Sequence, residues 1–168
     1  LASPVSVMDD HALTLRGAST LGETVGNLPG VSSTWFGPNA SRPVIRGMDG
    51  DRVRLLGNGG ASLDASSLSF DHAVTIDPLV IERVEVVRGP AALMYGGNAV
   101  GGVVNTLDNR IPQSAVDGVG GRAETVLGGA DSTRALAGRA EFGGAGVNLH
   151  VDGFRRRTIP RRGSTGDH

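Results

Sequence analysis

Between residues 134 and 152 the larger apolar side chains alternate with small or polar residues within each of two segments. Leu136, Gly138, Ala140 and Phe142 share one face, and Arg139 and Glu141 share the other. The split is cleaner further on, where Val147, Leu149 and Val151 stand against Asn148, His150 and Asp152. A period of two specifies extended strands with one apolar and one polar face. Gly143-Gly144 reads as the turn between two of them. Strands of ~10 residues with this dyad suit an ordinary half-buried antiparallel sheet or the wall of a transmembrane β-barrel. Two or three strands cannot close a barrel, and an open edge is not viable in lipid. On the barrel reading, most of the wall lies outside these residues.

The earlier part of the chain has a different texture, with short apolar runs broken by turn residues. Residues 4–8, 42–46, 52–56 and 82–88 read as strands, and Val103-Val104 sits in another. Asp49-Gly50 reads as a turn between the second and third. Thr20-Leu21-Gly22-Glu23 is a capping box, in which the threonine oxygen takes the amide of Glu23. Leu21, Val25 and Leu28 then share a helical face that Pro29-Gly30 ends. Asp77-Pro78 reads as an N-cap with proline at the first helical position. Pro90 opens a second short helix over residues 91–95, closed by Gly96-Gly97. Strands and short helices interleaved at this density predict a small α+β or α/β unit. Residues 113–121 read as a linker to the alternating zone.

Composition removes several classes of function. Glycine makes up 27 of 168 residues, more than twice the usual share of ~7%, without the period of collagen. All 16 basic residues are arginine, so a P-loop and Schiff-base chemistry are excluded. A net charge of −1 gives no reason to expect a nucleic-acid partner. Cysteine is absent, which excludes disulfides, thiolate metal sites and cysteine nucleophiles. No apolar run approaches the ~18 residues of a spanning helix. No signal peptide is visible and the chain opens at Leu1, so it reads as a piece of something longer.

No catalytic constellation emerges. There is no G-x-S-x-G, and the four histidines are scattered. Gly118-Val119-Gly120-Gly121-Arg122-Ala123 matches G-x-G-x-x-A, but it follows a polar stretch and no helical pattern opens after it. Asp71-His72 pairs two residue types that ligate zinc, in a polar loop with one large apolar residue, Phe70. Two ligands do not make a tight site, and a solvated loop pair is the bland alternative. His150, beside Asp152, reads as a polar lumen-facing residue, His11 as surface helix and His168 as terminal. Arg46-Gly47 and Arg88-Gly89 repeat one theme, an arginine ending a strand before glycine. Bidentate pairing with a carboxylate would suit docking, and pairing within the domain to Glu82 or Glu85 is the alternative.

Residues 42–56, Arg42-Pro43-Val44-Ile45-Arg46-Gly47-Met48-Asp49-Gly50-Asp51-Arg52-Val53-Arg54-Leu55-Leu56, resemble the first plug signature of TonB-dependent outer-membrane receptors. Residues 81–105, which include Val86-Val87-Arg88-Gly89-Pro90 and Tyr95-Gly96-Gly97, resemble the second, and Leu28-Pro29-Gly30-Val31 matches the segment after the first plug helix. The resemblance implies an α+β fold: a small mixed-sheet plug with short helices, then a few antiparallel strands of a truncated barrel. It divides the chain into a plug (1–112), a linker (113–121) and the first barrel strands (122–168). It turns the reading of the alternating zone toward barrel wall.

The same resemblance implies a function. In the family the plug fills a barrel of the Gram-negative outer membrane, and a TonB energy-coupling protein pulls an N-terminal box; no such box is visible here. The two Arg-Gly corners, here Arg46 and Arg88, are implied to dock on glutamates of the remaining barrel, so they should lie near each other. Residues 62–74 are similar to the zinc-uptake branch, which implies that Asp71 and His72 bind a metal ion or metal complex. The expectation is thus the gate of a transporter, not an enzyme, with no cofactor required and zinc as its transported ligand. A soluble periplasmic ligand-binding or interaction module that reuses the plug fold is the alternative.

Overall fold

Valine-rich runs build the central sheet. In a computed structural model, which describes residues 5–18, 20–37, 40–61, 74, 78–108, 117–127 and 134–157, the chain divides into two compact units, Leu1–Gln113 and Ser114–His168. The first carries strands β1 (Val5–Met8), β2 (Val31–Ser33), β3 (Pro43–Ile45), β4 (Val53–Gly57), β5 (Gly60–Ala61), β6 (Arg83–Val87) and β7 (Gly102–Leu107). Five of them form one sheet in the order β1-β6-β7-β4-β5, parallel at β4–β7 and antiparallel elsewhere. Strands β2 and β3 pair separately. The mixed sheet and few helices are the α+β arrangement expected.

Period two explains why this sheet is covered on both faces. Val84 and Val86 of β6 pack with Val53 and Leu55 of β4 and Val104 of β7. Val87, Val103 and Leu56, one position along each strand, join a second cluster with Ala92 and Ala99. Two short helices close the first face. Helix α1 (Asp10–Arg16) is capped by Asp9, whose side chain accepts from the amide of Ala12, and buries Leu13. Helix α2 (Leu21–Val25) starts at Thr20, whose hydroxyl accepts from the Glu23 amide at 3.3 Å. Leu21 and Val25 are fully buried and Leu28 packs beside them. The capping box and its apolar face are therefore as expected, although the helix ends at Gly26, before Pro29-Gly30.

Local differences have local causes. The strands flanking Asp49-Gly50 do not pair with each other; a 3-10 turn (Gly50–Arg52) separates β3 from β4, which belong to different sheets. The helix after Pro90 is a 3-10 helix, Pro90–Tyr95, and it buries only Ala92. Pro78 opens a 3-10 turn (Pro78–Val80), while Asp77 lies outside the described residues.

The second unit is one antiparallel sheet of β8 (Gly118–Leu127), β9 (Arg134–Gly144) and β10 (Val147–Arg157), in the order β10-β9-β8. Strand β8 starts inside the stretch that reads as linker, so Gly118–Gly121 are strand. Glycine permits this close pairing: a Cβ on Gly121 would stand 3.1 Å from the Arg139 carbonyl oxygen. The turn after β9 is Ala145-Gly146, both at positive φ as a tight two-residue hairpin demands; Gly143-Gly144 belong to the strand.

Candidate functional site

Both Arg-Gly corners meet one turn. Gly30, at φ +73, follows Pro29 between α2 and β2, and its carbonyl accepts from the backbone amide of Arg46 at 2.9 Å. The carbonyl one residue earlier, on Pro29, accepts from the Arg88 guanidinium, which also donates to the Ser6 hydroxyl on β1. Two arginines 42 positions apart in sequence are thus drawn to consecutive residues, the proximity that a shared docking role requires. Each is followed by a glycine near φ +76, where a side chain would be strained.

The two corners differ in chemistry. Arg46 itself sits at φ +53, a conformation costing an ordinary residue ~1 kcal/mol or more. Its side chain is exposed, with no acidic partner among the described residues. Arg88 is half-buried and spends its terminal nitrogens on a carbonyl and a hydroxyl. Glu85, offered above as a partner for it, instead takes Arg83 (Nε–Oε1 2.9 Å) and accepts from Asn105 at 3.2 Å. The Arg83 hydrogen bond holds the Glu85 carboxyl below its ordinary value of 4.5; partial burial opposes this, and Asn105 assists it. Arginine of β6 therefore satisfies the glutamate of β6, two residues away on the same face, and Arg88 is left to bridge elements.

A residue that sequence reasoning passed over supports this corner. Arg42 is 2% exposed and its guanidinium donates to the Gly50 carbonyl at 3.2 Å. It pins the turn between β3 and β4. Nothing in an arginine before a Pro-Val-Ile strand signals burial, since arginine is rarely inside.

In the second unit the register decides which face each residue takes. Val119, Phe142 and Leu149 stand in one row across the three strands, with Gly121, Ala140 and Val151 in the next row on that face. Val119, Phe142, Val147, Leu149 and Val151 are all exposed. The opposite face carries Arg122, Glu124, Arg139, Glu141, His150 and Asp152. There Arg122 and Glu124 pair at 2.9 Å, and the His150 ring lies between Glu141 (3.2 Å) and Asp152 (3.4 Å). A soluble sheet shows the reverse, with its apolar face the one covered. An uncovered apolar face and an internally paired polar face are the barrel-wall pattern.

Asp71 and His72 lie outside the described residues, as does most of the loop that carries them. Among the described residues, no cluster of three or more His, Asp or Glu side chains is arranged to hold a metal ion. His11 is exposed on α1, as read above.

Comparison with known proteins is decisive at the level of family. Residues 1–103 match the family model described as TonB-dependent Receptor Plug Domain. The chain belongs to that family. A hemin receptor of Yersinia pestis is 35% identical over 102 residues, covering 60% of this chain and 15% of the relative. A vitamin B12 transporter, BtuB, of Photobacterium profundum is 30% identical over 168 residues, covering 94% and 27%. Among solved structures, the siderophore receptor PirA from Acinetobacter baumannii superposes with a TM-score of 0.73 at 22% identity, covering 92% of this chain and 24% of that one. The copper transporter OprC superposes at 0.76 with 22% identity, covering 94% and 24%. The fold is thus that of a TonB-dependent receptor plug followed by the opening strands of its barrel, a part corresponding to about a quarter or less of these relatives. The family so shown is one of outer-membrane receptors and not of enzymes, which favours the receptor reading over a soluble periplasmic module.

Proposed function

We propose that this TonB-dependent receptor plug is the gate of a transporter for zinc or another metal or metal complex. The observation that carries the gate is the convergence of Arg46 and Arg88 on the Pro29–Gly30 turn. Two arginines anchored on consecutive residues of one turn give a matching pair of wall carboxylates a place to hold the domain, and arginine's planar fork suits such pairing. On this reading Arg46 and Arg88 dock on glutamates of the barrel, and TonB draws on the N-terminal side to loosen the plug.

The metal assignment rests on residues 62–74, whose Asp71-His72 pair resembles the zinc-uptake branch. A carboxylate and an imidazole supply two of the four ligands zinc prefers; the others come from the barrel. Calorimetry on the full receptor tests it. Asp71→Ala with His72→Ala is expected to weaken zinc binding at least tenfold, and unchanged affinity removes the assignment.

A second reading, a metal chelate in place of a bare ion, has its own support. The relatives include receptors for hemin and ferric enterobactin, both chelates. Trp35 and Phe36 stand 69% and 56% exposed beyond β2, where the Phe36 amide pairs with the Ala40 carbonyl at 2.9 Å. Aromatic faces presented this way can stack on a planar ligand. Hemin bound more tightly than zinc by the same receptor would select this reading.

A further inference from the structure

We propose that Ser6, Arg88 and Pro29 form a mechanical clasp that sets the resistance of strand β1 to a pull from its N-terminal side. The proposal rests on the functional reading above only for the source of the pull; the clasp itself follows from topology and bonding.

Among the described residues strand β1 is the edge of the five-stranded sheet, four residues long, and its strand partner is β6. The register runs antiparallel from Val5↔Val87 to Met8↔Val84. A load applied ahead of Val5 therefore opens Val5↔Val87 first and Ser6↔Val86 next. Val5 and Val7 are exposed, so little apolar packing resists that opening until Met8, which is buried in the core. Arg88 follows Val87 directly and donates to the Ser6 hydroxyl, which places a side-chain bond at the first rungs to break. Hydrogen bonds with an ionised donor are roughly twice as strong as neutral ones, so this single contact outweighs a ladder rung.

The same guanidinium donates to the Pro29 carbonyl. Pro29 precedes Gly30, whose carbonyl holds Arg46. Ser6 is thereby linked through Arg88 to the turn on which both corners converge. Opening β1 releases one of the bonds that fix the Arg88 side chain, and the corner is freed to reorient. A strand held by its ladder alone would part without informing that turn. Arg88 is thus a positioning residue through which displacement of β1 reaches the docking corner.

Ser6 is the residue to change, because it has no part in docking. In the full receptor in a bilayer, pulled by a handle attached ahead of Val5, Ser6→Ala is expected to lower the first rupture force. Amide exchange at residues 5–8 should be roughly tenfold faster. Ser6→Thr keeps the hydroxyl and is expected to restore both. Rupture force and β1 exchange identical to wild type in Ser6→Ala would overturn the clasp, as would a loss that Ser6→Thr fails to rescue. Repeating the pull with immobilised TonB separates the two claims. A normal clasp response to the direct handle with no grip by TonB supports the clasp and overturns the functional reading alone.

Discussion

The two units use the same kinds of residue in opposite ways. In the first, Val53, Val84, Val86, Val103 and Val104 are at most 2% exposed, and the strands owe their stability to apolar contact on both faces. In the second, Val119, Val147 and Val151 are 78%, 70% and 55% exposed, while the polar face is the less open one. Valine has the same hydrophobicity in both places, so the difference lies in the solvent each unit is built to meet. A domain surrounded by water hides its valines; a barrel strand turns them toward lipid and keeps its ion pairs on the other side. Secondary structure alone would not separate the two, since both are sheets rich in glycine and valine.

Substitutions break or sharpen that contrast. The largest effect is expected at Gly102, at φ +150, where an added Cβ would meet the Ile45 side chain at 2.7 Å and the Val87 carbonyl at 2.8 Å. Gly102→Val should cost about 4 kcal/mol or abolish plug folding, as read by protease resistance of the full receptor. Ile45→Ala, which empties part of the fully buried core, should cost about 3 kcal/mol in denaturant unfolding. A matched pair then compares the units directly. Leu149→Arg should cost ~2–4 kcal/mol in a bilayer, whereas Val7→Arg, at similar exposure in the first unit, should stay within ~0.5 kcal/mol. Equal costs would mean that the exposed face of β10 does not meet lipid.

The smallest effect is electrostatic and confined to the first unit. Because Arg83 lowers the folded-state value of Glu85, the carboxylate adds stability that is fully present above about pH 4.5 and is lost as pH falls through its depressed folded value. Glu85→Gln should therefore flatten the acid limb of the plug's pH–stability profile and leave the profile above pH 6 parallel to wild type. An unchanged acid limb would show that the Arg83 pairing contributes nothing.

How far the chain could be read in advance varied with the range of the interactions. Thr20 and Glu23, three residues apart, announced α2, and the valines of β6 announced a strand, because caps and period-two patterns are local. Strand partners were not legible: that β4 runs parallel to β7, across an intervening 44 residues, depends on which apolar edges fit together. The corners were visible as repeated Arg-Gly pairs and as a family resemblance, yet their meeting at Pro29 and Gly30 needed the tertiary structure. Ser6 carried no signal at all. The second unit was the reverse case, since its alternation was plain but its solvent was not. Exposure of Leu149 and half-burial of His150 supplied what periodicity could not.

The central claim is that the second unit is barrel wall, with the apolar face of its strands turned to lipid and the polar face turned away from it. Single spin labels on cysteines at Leu149 and at Asn148, neighbours that the register puts on opposite faces, test it in the full receptor reconstituted in bilayers. These 168 residues hold no cysteine, and any in the remainder of the receptor is first replaced by serine. Position 149 is expected to be relaxed strongly by lipid-soluble oxygen and weakly by a water-soluble nickel chelate, with position 148 showing a much lower oxygen accessibility. Equal accessibilities at the two positions, or the opposite order, would contradict the account.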